Sequence, residues 1–502
     1  MSRIHRSILF SAGERYGSFI FFFFSIAILS RLLTPEQTGI YTAIAALTAL
    51  ANTPAEFGGA GYIIQKQVLS EPDIRTAFTI NFAISAAVAA ALFLSRDAIA
   101  TFYGLEGLKD GIGVSALSFL LLPFSSTISA LLRREMAFDT VAQCNLVANF
   151  VTAATSVALA ASGAGFMGPV IGTVAGNAAL VALFIAFQRN LRIFLPSFVG
   201  YRDVIAFGAY SSGVAIINVF YQMSPQLILG RVLNFTAVGL YGRAISVTQI
   251  FDKLIMQVLG PVIMPAIFDQ TRAGGDLKQI YLVGIELLSA VQWPFLIFLA
   301  FMAEPIVLIW LGPQWIQIVT LVQFICVASL SLFAASLTYP VLVAVGRVRD
   351  SLVSSFISLP PSLLMILIAS FFSVQAVAFS TLFALPLQAG VAIYFISQRL
   401  DIRPAELLRA TAKSAIVAGC CTAAILLGIF ISNVSGSGRI AELIGVGLLG
   451  VMGWLAGLFL TGHPLWEHIC WASNKGWLAA SQFFLRDGAI PLKEKSPPAE
   501  PS

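Results

Sequence analysis

Charge is scarce in this chain. Only 11% of its 502 residues are Asp, Glu, Lys or Arg, and it holds three histidines and five cysteines. A soluble domain gives about a quarter of its residues to charge, so a mainly water-facing surface is excluded. Cys144, Cys326, Cys420, Cys421 and Cys470 lie in or beside apolar runs without metal-ligand spacing, and read as buried small hydrophobes. His463 and His468 are five apart, off a common helical face, so no zinc centre is expected. No G-x-x-x-x-G-K-[ST] string occurs, which argues against an ATP-driven pump within this polypeptide. Gly445-x-Gly447-x-x-Gly450 imitates a dinucleotide fingerprint, but no strand precedes it. With Gly453 and Gly457 it reads as helix packing through small residues. No cofactor is called for, and no catalytic constellation of the kind a membrane glycosyltransferase or polymerase would carry is evident.

What is present is apolar length. Hydrophobic residues make up 58% of the chain, Phe alone numbers 40, and mean hydropathy is +0.89. Runs such as FIFFFFSIAIL (Phe19 to Leu29) have no polar face. Helices of about 20 such residues match the ~30 Å hydrocarbon core. The expected fold is an all-α polytopic membrane protein with about 14 spans. They fall near 15–33, 39–62, 76–95, 111–132, 140–161, 166–187, 204–229, 237–266, 280–303, 316–345, 351–372, 374–397, 412–432 and 440–461. With a cytoplasmic N-terminus, 22 of the 29 Lys and Arg fall on inside segments, which predicts an N-in, C-in topology. The net charge of +5 is spread over those loops rather than gathered on one face, so no nucleic-acid partner is expected. The first span lacks a small-x-small exit, and no cleaved signal peptide is expected.

One sentence is written twice. ILSRLLTPEQTGIY (Ile28 to Tyr41) returns as ILGRVLNFTAVGLY (Ile228 to Tyr241), with Ile, Leu, Arg, Leu, Gly and Tyr repeated at an offset of 200. Laying spans 1–6 over spans 7–12 gives two parallel, pseudo-symmetric six-helix lobes, residues 1–200 and 201–400, with a cavity between them. Spans 13 and 14 occupy 401–462. The segment 463–502 opens as an amphipathic stretch carrying Trp466, Cys470, Trp477, Ala480 and Phe484 at helical spacing, then ends in a compositionally disordered KEKSPPAEPS.

The first copy is followed by AEFGGAGYIIQ (Ala55 to Gln65), and the second copy, VGLYGRA, by PAIF and LGPQW (Leu311 to Trp315). With these strings the chain resembles the polysaccharide transporter, or O-antigen flippase-like, family of the multidrug/oligosaccharidyl-lipid/polysaccharide exporter superfamily. It is most similar to exporters of exopolysaccharide repeat units of the colanic-acid and succinoglycan type. The resemblance covers about residues 1–430. Where the family often has Asp-Leu-Gly, this chain has Glu56-Phe57-Gly58. The resemblance implies translocation of undecaprenyl-diphosphate-linked oligosaccharides across the bacterial inner membrane by alternating access. It also implies contact with membrane lipids and with polymerase or chain-length and export proteins. The alternative is an ion-coupled multidrug or small-molecule exporter on the same frame.

Span 8 carries the candidate chemistry. At 100° per residue, with Arg243 at zero, Ser246 falls at about −60°, Lys253 at about −80°, Gln257 at about −40° and Gln249 at about −120°. These five form a polar stripe about 20 Å long. Two cations facing lipid would cost ~2.5 kcal/mol or more each, so the stripe should face a wet cavity and hold a diphosphate or acidic sugar. Alternatively Arg243 and Lys253 pair with Glu56 or Glu14 as a structural lock. Glu56, Glu14 and Arg15 are candidate gating or ion-coupling groups, and Glu286 is weighed in the same way. The repeated Arg31 and Arg231 read as structural, bonding carbonyls at the span-to-loop turn, and Gly39 and Gly239 as turn or close-contact residues.

Overall fold

The computed structural model describes residues 3–56, 58–188, 190–256, 276–344, 347–436 and 438–475, and among them it is helical with no strand. The helices in the first half are α1 (Arg3–Leu32), α2 (Pro35–Ala55), α3 (Gly59–Gln65), α4 (Glu71–Tyr103), α5 (Gly107–Arg134), α6 (Phe138–Leu159), α7 (Met167–Phe187), α8 (Tyr201–Val232) and α9 (Phe235–Thr248). Then follow α10 (Leu277–Phe301), α11 (Ala303–Trp310), α12 (Val319–Ser329), α13 (Ala335–Ala344), α14 (Val348–Ser370) and α15 (Val374–Leu400). The last three are α16 (Pro404–Ser435), α17 (Arg439–Leu460) and α18 (Pro464–Lys475).

Eleven helices among the described residues are long and apolar enough to cross a membrane. The expected count of 14 is not met by that measure. The second span, expected as one rod over 39–62, is broken: α2 stops at Ala55, Gly58 turns with φ 65°, and α3 restarts at Gly59. A left-handed residue cannot continue a right-handed helix. The eighth span follows α9 only to Thr248 before a π-turn at Asp252–Met256, and 257–275 lie outside the described residues.

The structure gathers into two compact units. The first comprises Met1–Leu254, Leu299–Ala328 and Phe356–Leu387; the second Ile255–Phe298, Ser329–Ser355 and Gln388–Ser502.

Within the first unit the repeated sequence is a helix start. Thr34 accepts the Gln37 N–H at 3.2 Å while Gln37 Oε1 accepts the Thr34 N–H at 3.3 Å, and Pro35 takes the first helical position of α2. Reciprocal capping of this kind satisfies two orphan donors. In the second copy Asn234 does the same work alone, accepting the Ala237 N–H at 2.8 Å to open α9. The end of α3 is closed from a distance. Arg134, last residue of α5, donates to the carbonyls of Ile63 at 2.8 Å, Lys66 at 2.5 Å and Gln67 at 3.0 Å, filling acceptors that a helix end leaves free. Lys66 also bonds Asp73 at 2.7 Å, and this bond raises the lysine pKa.

The second unit is stitched by the glycines of α17. A Cβ on Gly453 would lie 2.9 Å from the Cys420 carbonyl oxygen, and one on Gly457 2.9 Å from Val417 Cα, so α17 rides directly on the α16 backbone. Leu458 packs there with Val417 and Ala290, and the Trp454 indole donates to the Ala290 carbonyl at 2.8 Å. Trp466, on the short α18, lies edge-on to Phe459 and joins this cluster. Of the expected amphipathic segment, α18 is the described part; Trp477, Ala480 and Phe484 lie outside the described residues. His463, between α17 and α18, is fully buried. Its Nδ1 accepts the Leu465 N–H at 3.1 Å, which leaves the ring proton on Nε2, 3.2 Å from the Ser414 hydroxyl; that hydroxyl donates to the Glu286 carbonyl at 2.9 Å. Burial pushes the His463 pKa down to about 4, with the nearby Lys413 charge adding to the effect.

Candidate functional site

The site is built on the α2–α9 contact in the first unit. These helices carry the two copies of the repeat, and they touch backbone to backbone at Gly39 and Gly239. One turn on, a Cβ at Gly242 would fall 3.1 Å from Thr42 Cγ2. The next residue, Arg243, is therefore fixed by the same close approach, and its counterpart 200 residues earlier is the buried Ala43.

Arg243 is 8% exposed, its guanidinium 5.6 Å from the centre of the Trp315 ring. Its Nε is buried without a hydrogen-bond partner. No ion pair to a carboxylate is made by Arg243 among the described residues. The Tyr41 phenol is within electrostatic range of the guanidinium. A buried cation without a counter-ion is expensive, because its desolvation is not repaid by a partner. The aromatic face returns a part of that cost.

Trp315 is itself held. It is fully buried, and its indole donates to the Ser30 carbonyl at 2.7 Å. Gln314 bonds the same carbonyl and reaches the Leu33 carbonyl at 3.2 Å. These are carbonyls at the C-terminal end of α1, where no intrahelical donor remains. The LGPQW string thus closes the end of α1, and Trp315 then offers its ring to Arg243. Arg31 completes the joint by donating to the Ile309 carbonyl at 2.7 Å, and Trp310 stacks on Phe23 at 4.6 Å. Arg231 lies 5.1 Å from the Phe102 ring.

A cavity of about 260 Å³ is bounded by α2, α5 and α7. Tyr41, Thr48 and Asn52 line one wall, Ser115 and Ser118 another, and Thr173 a third.

Residues 28–320, more than half of the chain, match the family described as "Polysaccharide biosynthesis protein". The chain belongs to this family. The lipopolysaccharide biosynthesis protein WzxC of Escherichia coli K12 is 25% identical over 312 residues, 61% of this chain and 62% of the relative. The chain thus spans a little under two thirds of that relative. The succinoglycan biosynthesis transport protein ExoT of Rhizobium meliloti is 24% identical over 352 residues, 68% of this chain and 70% of the relative. Among solved structures, the lipid II flippase MurJ in an inward closed conformation shares the fold with a TM-score of 0.70 and 12% identity. The match covers 90% of this chain and 98% of MurJ. An inward-facing multidrug MATE transporter matches at 0.54 and 14% identity, over 79% of this chain and 94% of the other. This polysaccharide biosynthesis family member is a multi-pass membrane protein that shares the fold of MurJ and of the MATE transporter.

The expected polar stripe of this family member is only partly assembled. Lys253 does not share the Arg243 environment; its Nζ lies 4.2 Å from the Phe22 ring centre. The α-type bonding on which the stripe rests continues through Gln249 and Lys253, whose N–H groups donate to the Ile245 and Gln249 carbonyls at 2.9 and 3.0 Å, and a π-turn begins at Asp252. Gln249 is exposed at the end of α9, and the Ser246 hydroxyl is spent on the Gly242 carbonyl at 2.9 Å. Gln257 lies outside the described residues.

The carboxylates proposed as lock partners for the cations are engaged elsewhere. Glu56 Oε1 accepts from Asn52 at 2.8 Å, and Glu14 Oε1 accepts from Asn145 at 2.5 Å. Arg15 is half-buried on α1, and Glu286 has His463 Nε2 4.0 Å from its carboxylate. Sequence reasoning missed Trp315 as the neighbour of Arg243. The only signal was the LGPQW string, which carried part of the family resemblance.

Proposed function

We propose that this protein moves polyprenyl-diphosphate-linked oligosaccharide repeat units from the cytoplasmic to the periplasmic leaflet of a bacterial inner membrane, for exopolysaccharide or lipopolysaccharide synthesis. The observation that carries the reading is Arg243: a buried guanidinium 5.6 Å from the centre of the Trp315 ring, with an open Nε and no carboxylate paired to it among the described residues. Diphosphate supplies the missing negative charge and the fork of acceptors that arginine matches. Lys253 serves as a second, mobile point charge. Alternating access of the two six-helix repeats, 1–200 and 201–400, carries the headgroup across, with the tail left in lipid. Spans 13 and 14 (401–462) and the segment 463–502 complete the chain, with both termini cytoplasmic. The likeness to the lipopolysaccharide biosynthesis protein WzxC, the succinoglycan transport protein ExoT and the lipid II flippase MurJ supports a substrate of the lipid-linked saccharide class.

Disruption of the gene, followed by extraction of lipid-linked sugars, tests this reading. Build-up of complete, unpolymerised units on the inner leaflet is expected. Unaltered polymer with altered drug tolerance would favour the second reading, an ion-coupled exporter, which rests on the fold shared with the multidrug MATE transporter. Polymerase and chain-length proteins are the expected partners downstream.

A further inference from the structure

The cavity between α2, α5 and α7 has a chemical character that the Arg243 site does not share. Its polar lining consists of neutral oxygen and amide groups: the Tyr41 phenol, the Thr48, Ser115, Ser118 and Thr173 hydroxyls and the Asn52 amide. No Asp, Glu, Lys, Arg or His lines it. An anion or a cation would lose its hydration there without gaining a counter-charge. Thr48 and Thr173 donate to the Ile44 and Pro169 carbonyls at 2.8 and 2.9 Å, which leaves their oxygens free to accept. Asn52 is held by its bond to Glu56, which orients the amide. Ile44, Val170 and Val174 fill the rest of the wall with aliphatic surface.

Neutral donors and acceptors set among aliphatic patches match a pyranose, which carries hydroxyls round its rim and C–H groups on its faces. Size agrees. At about 260 Å³ the cavity falls below the ~300 Å³ at which pockets begin to hold drug-sized ligands, and it has room for roughly eight or nine waters. That is space for one ring and its water, not for an oligosaccharide. Its place in the fold is also defined: Tyr41, which lines it, is followed in α2 by Thr42, which packs on Gly242 next to Arg243.

We propose that this cavity is a subsite for one neutral hexopyranose ring of the substrate, read by Asn52, Ser115, Ser118 and Thr173. The assignment rests on the flippase reading for the identity of the substrate, but not for the binding chemistry. The test uses the full-length protein in nanodiscs and three probes: the methyl glycosides of glucose, galactose and mannose, followed by saturation-transfer NMR. At least one glycoside should bind, and Ser118→Leu and Asn52→Leu should each weaken it tenfold or more. Arg243→Ala should leave glycoside binding within twofold while abolishing binding of a polyprenyl diphosphate. Ser118 is partly exposed and lines the cavity, so a leucine there projects into the cavity without replacing a core side chain; circular dichroism and melting confirm that each variant is folded. Failure of all three glycosides to bind, or binding untouched by both leucines, overturns the subsite. Diphosphate binding that survives Arg243→Ala overturns the parent reading instead, and leaves the glycoside result to stand by itself.

Discussion

Gly39 of α2 and Gly239 of α9 meet backbone to backbone, and they do so reciprocally. A Cβ on Gly39 would overlap the Phe235 carbonyl and lie 2.9 Å from the Gly239 nitrogen; one on Gly239 would overlap the Pro35 carbonyl and lie 3.0 Å from the Gly39 nitrogen. Phe235 stands 200 residues after Pro35, so the contact obeys the same offset as the repeat. The duplicated sentence is therefore a duplicated contact surface, in which each copy packs against the other.

Substitution at this contact should be costly because backbone, not a movable side chain, blocks the space. Gly39→Ala and Gly239→Ala should each destabilise by at least the ~1–3 kcal/mol typical of overpacking. Melting of the purified protein checks this; a melting temperature unchanged by either alanine would refute the close approach.

Arg243 should not be replaceable by lysine. Arg243→Lys keeps the charge but loses the planar fork that lies over the Trp315 ring. Export measured by complementation should fall tenfold or more in both Arg243→Lys and Arg243→Ala, at normal membrane levels.

Trp315 joins two functions that substitutions can separate. Trp315→Phe keeps a ring under the guanidinium but removes the indole donor to Ser30, and should cost about 1 kcal/mol with export retained. Trp315→Leu removes both, and export should drop with stability. Equal export in the two variants would show that the ring does nothing for Arg243.

His463 predicts a pH dependence. Its pKa is held at about 4, below the ordinary 6.5. Between those values the unfolded chain takes up a proton that the folded chain refuses. This contribution to stability is present above about 6.5 and is lost as pH falls toward 4, on the order of 3 kcal/mol in all. Melts of wild type and His463→Gln from pH 4 to 8 check it: the slope over this window should flatten in the variant.

The apolar runs made the membrane class and the helical architecture legible, since helix length and hydrocarbon thickness leave few alternatives. The repeat was legible because six identities share one offset. What the repeat does was not, since a one-dimensional pattern holds no record that Gly39 faces Gly239. The site was half legible. Arg243 stood out as a cation in an apolar span, but its partner Trp315 is 72 residues away, and no spacing in the sequence marks their approach. The stripe held no record of what each cation meets: Arg243 lies over the Trp315 ring and Lys253 over the Phe22 ring. Asn52 went unnoticed because a single amide among alanines and threonines carries no periodic signal until α5 and α7 close the cavity around it.

The central claim is that the lone guanidinium of Arg243 recognises a diphosphate during translocation. Proteoliposomes loaded with a fluorescent polyprenyl-diphosphate oligosaccharide measure this directly, through the fraction of label exposed to a membrane-impermeant quencher over time. Wild-type protein should move the label between leaflets, and Arg243→Ala, reconstituted at equal density, should do so at least tenfold more slowly. Equal rates for the two proteins would contradict the account.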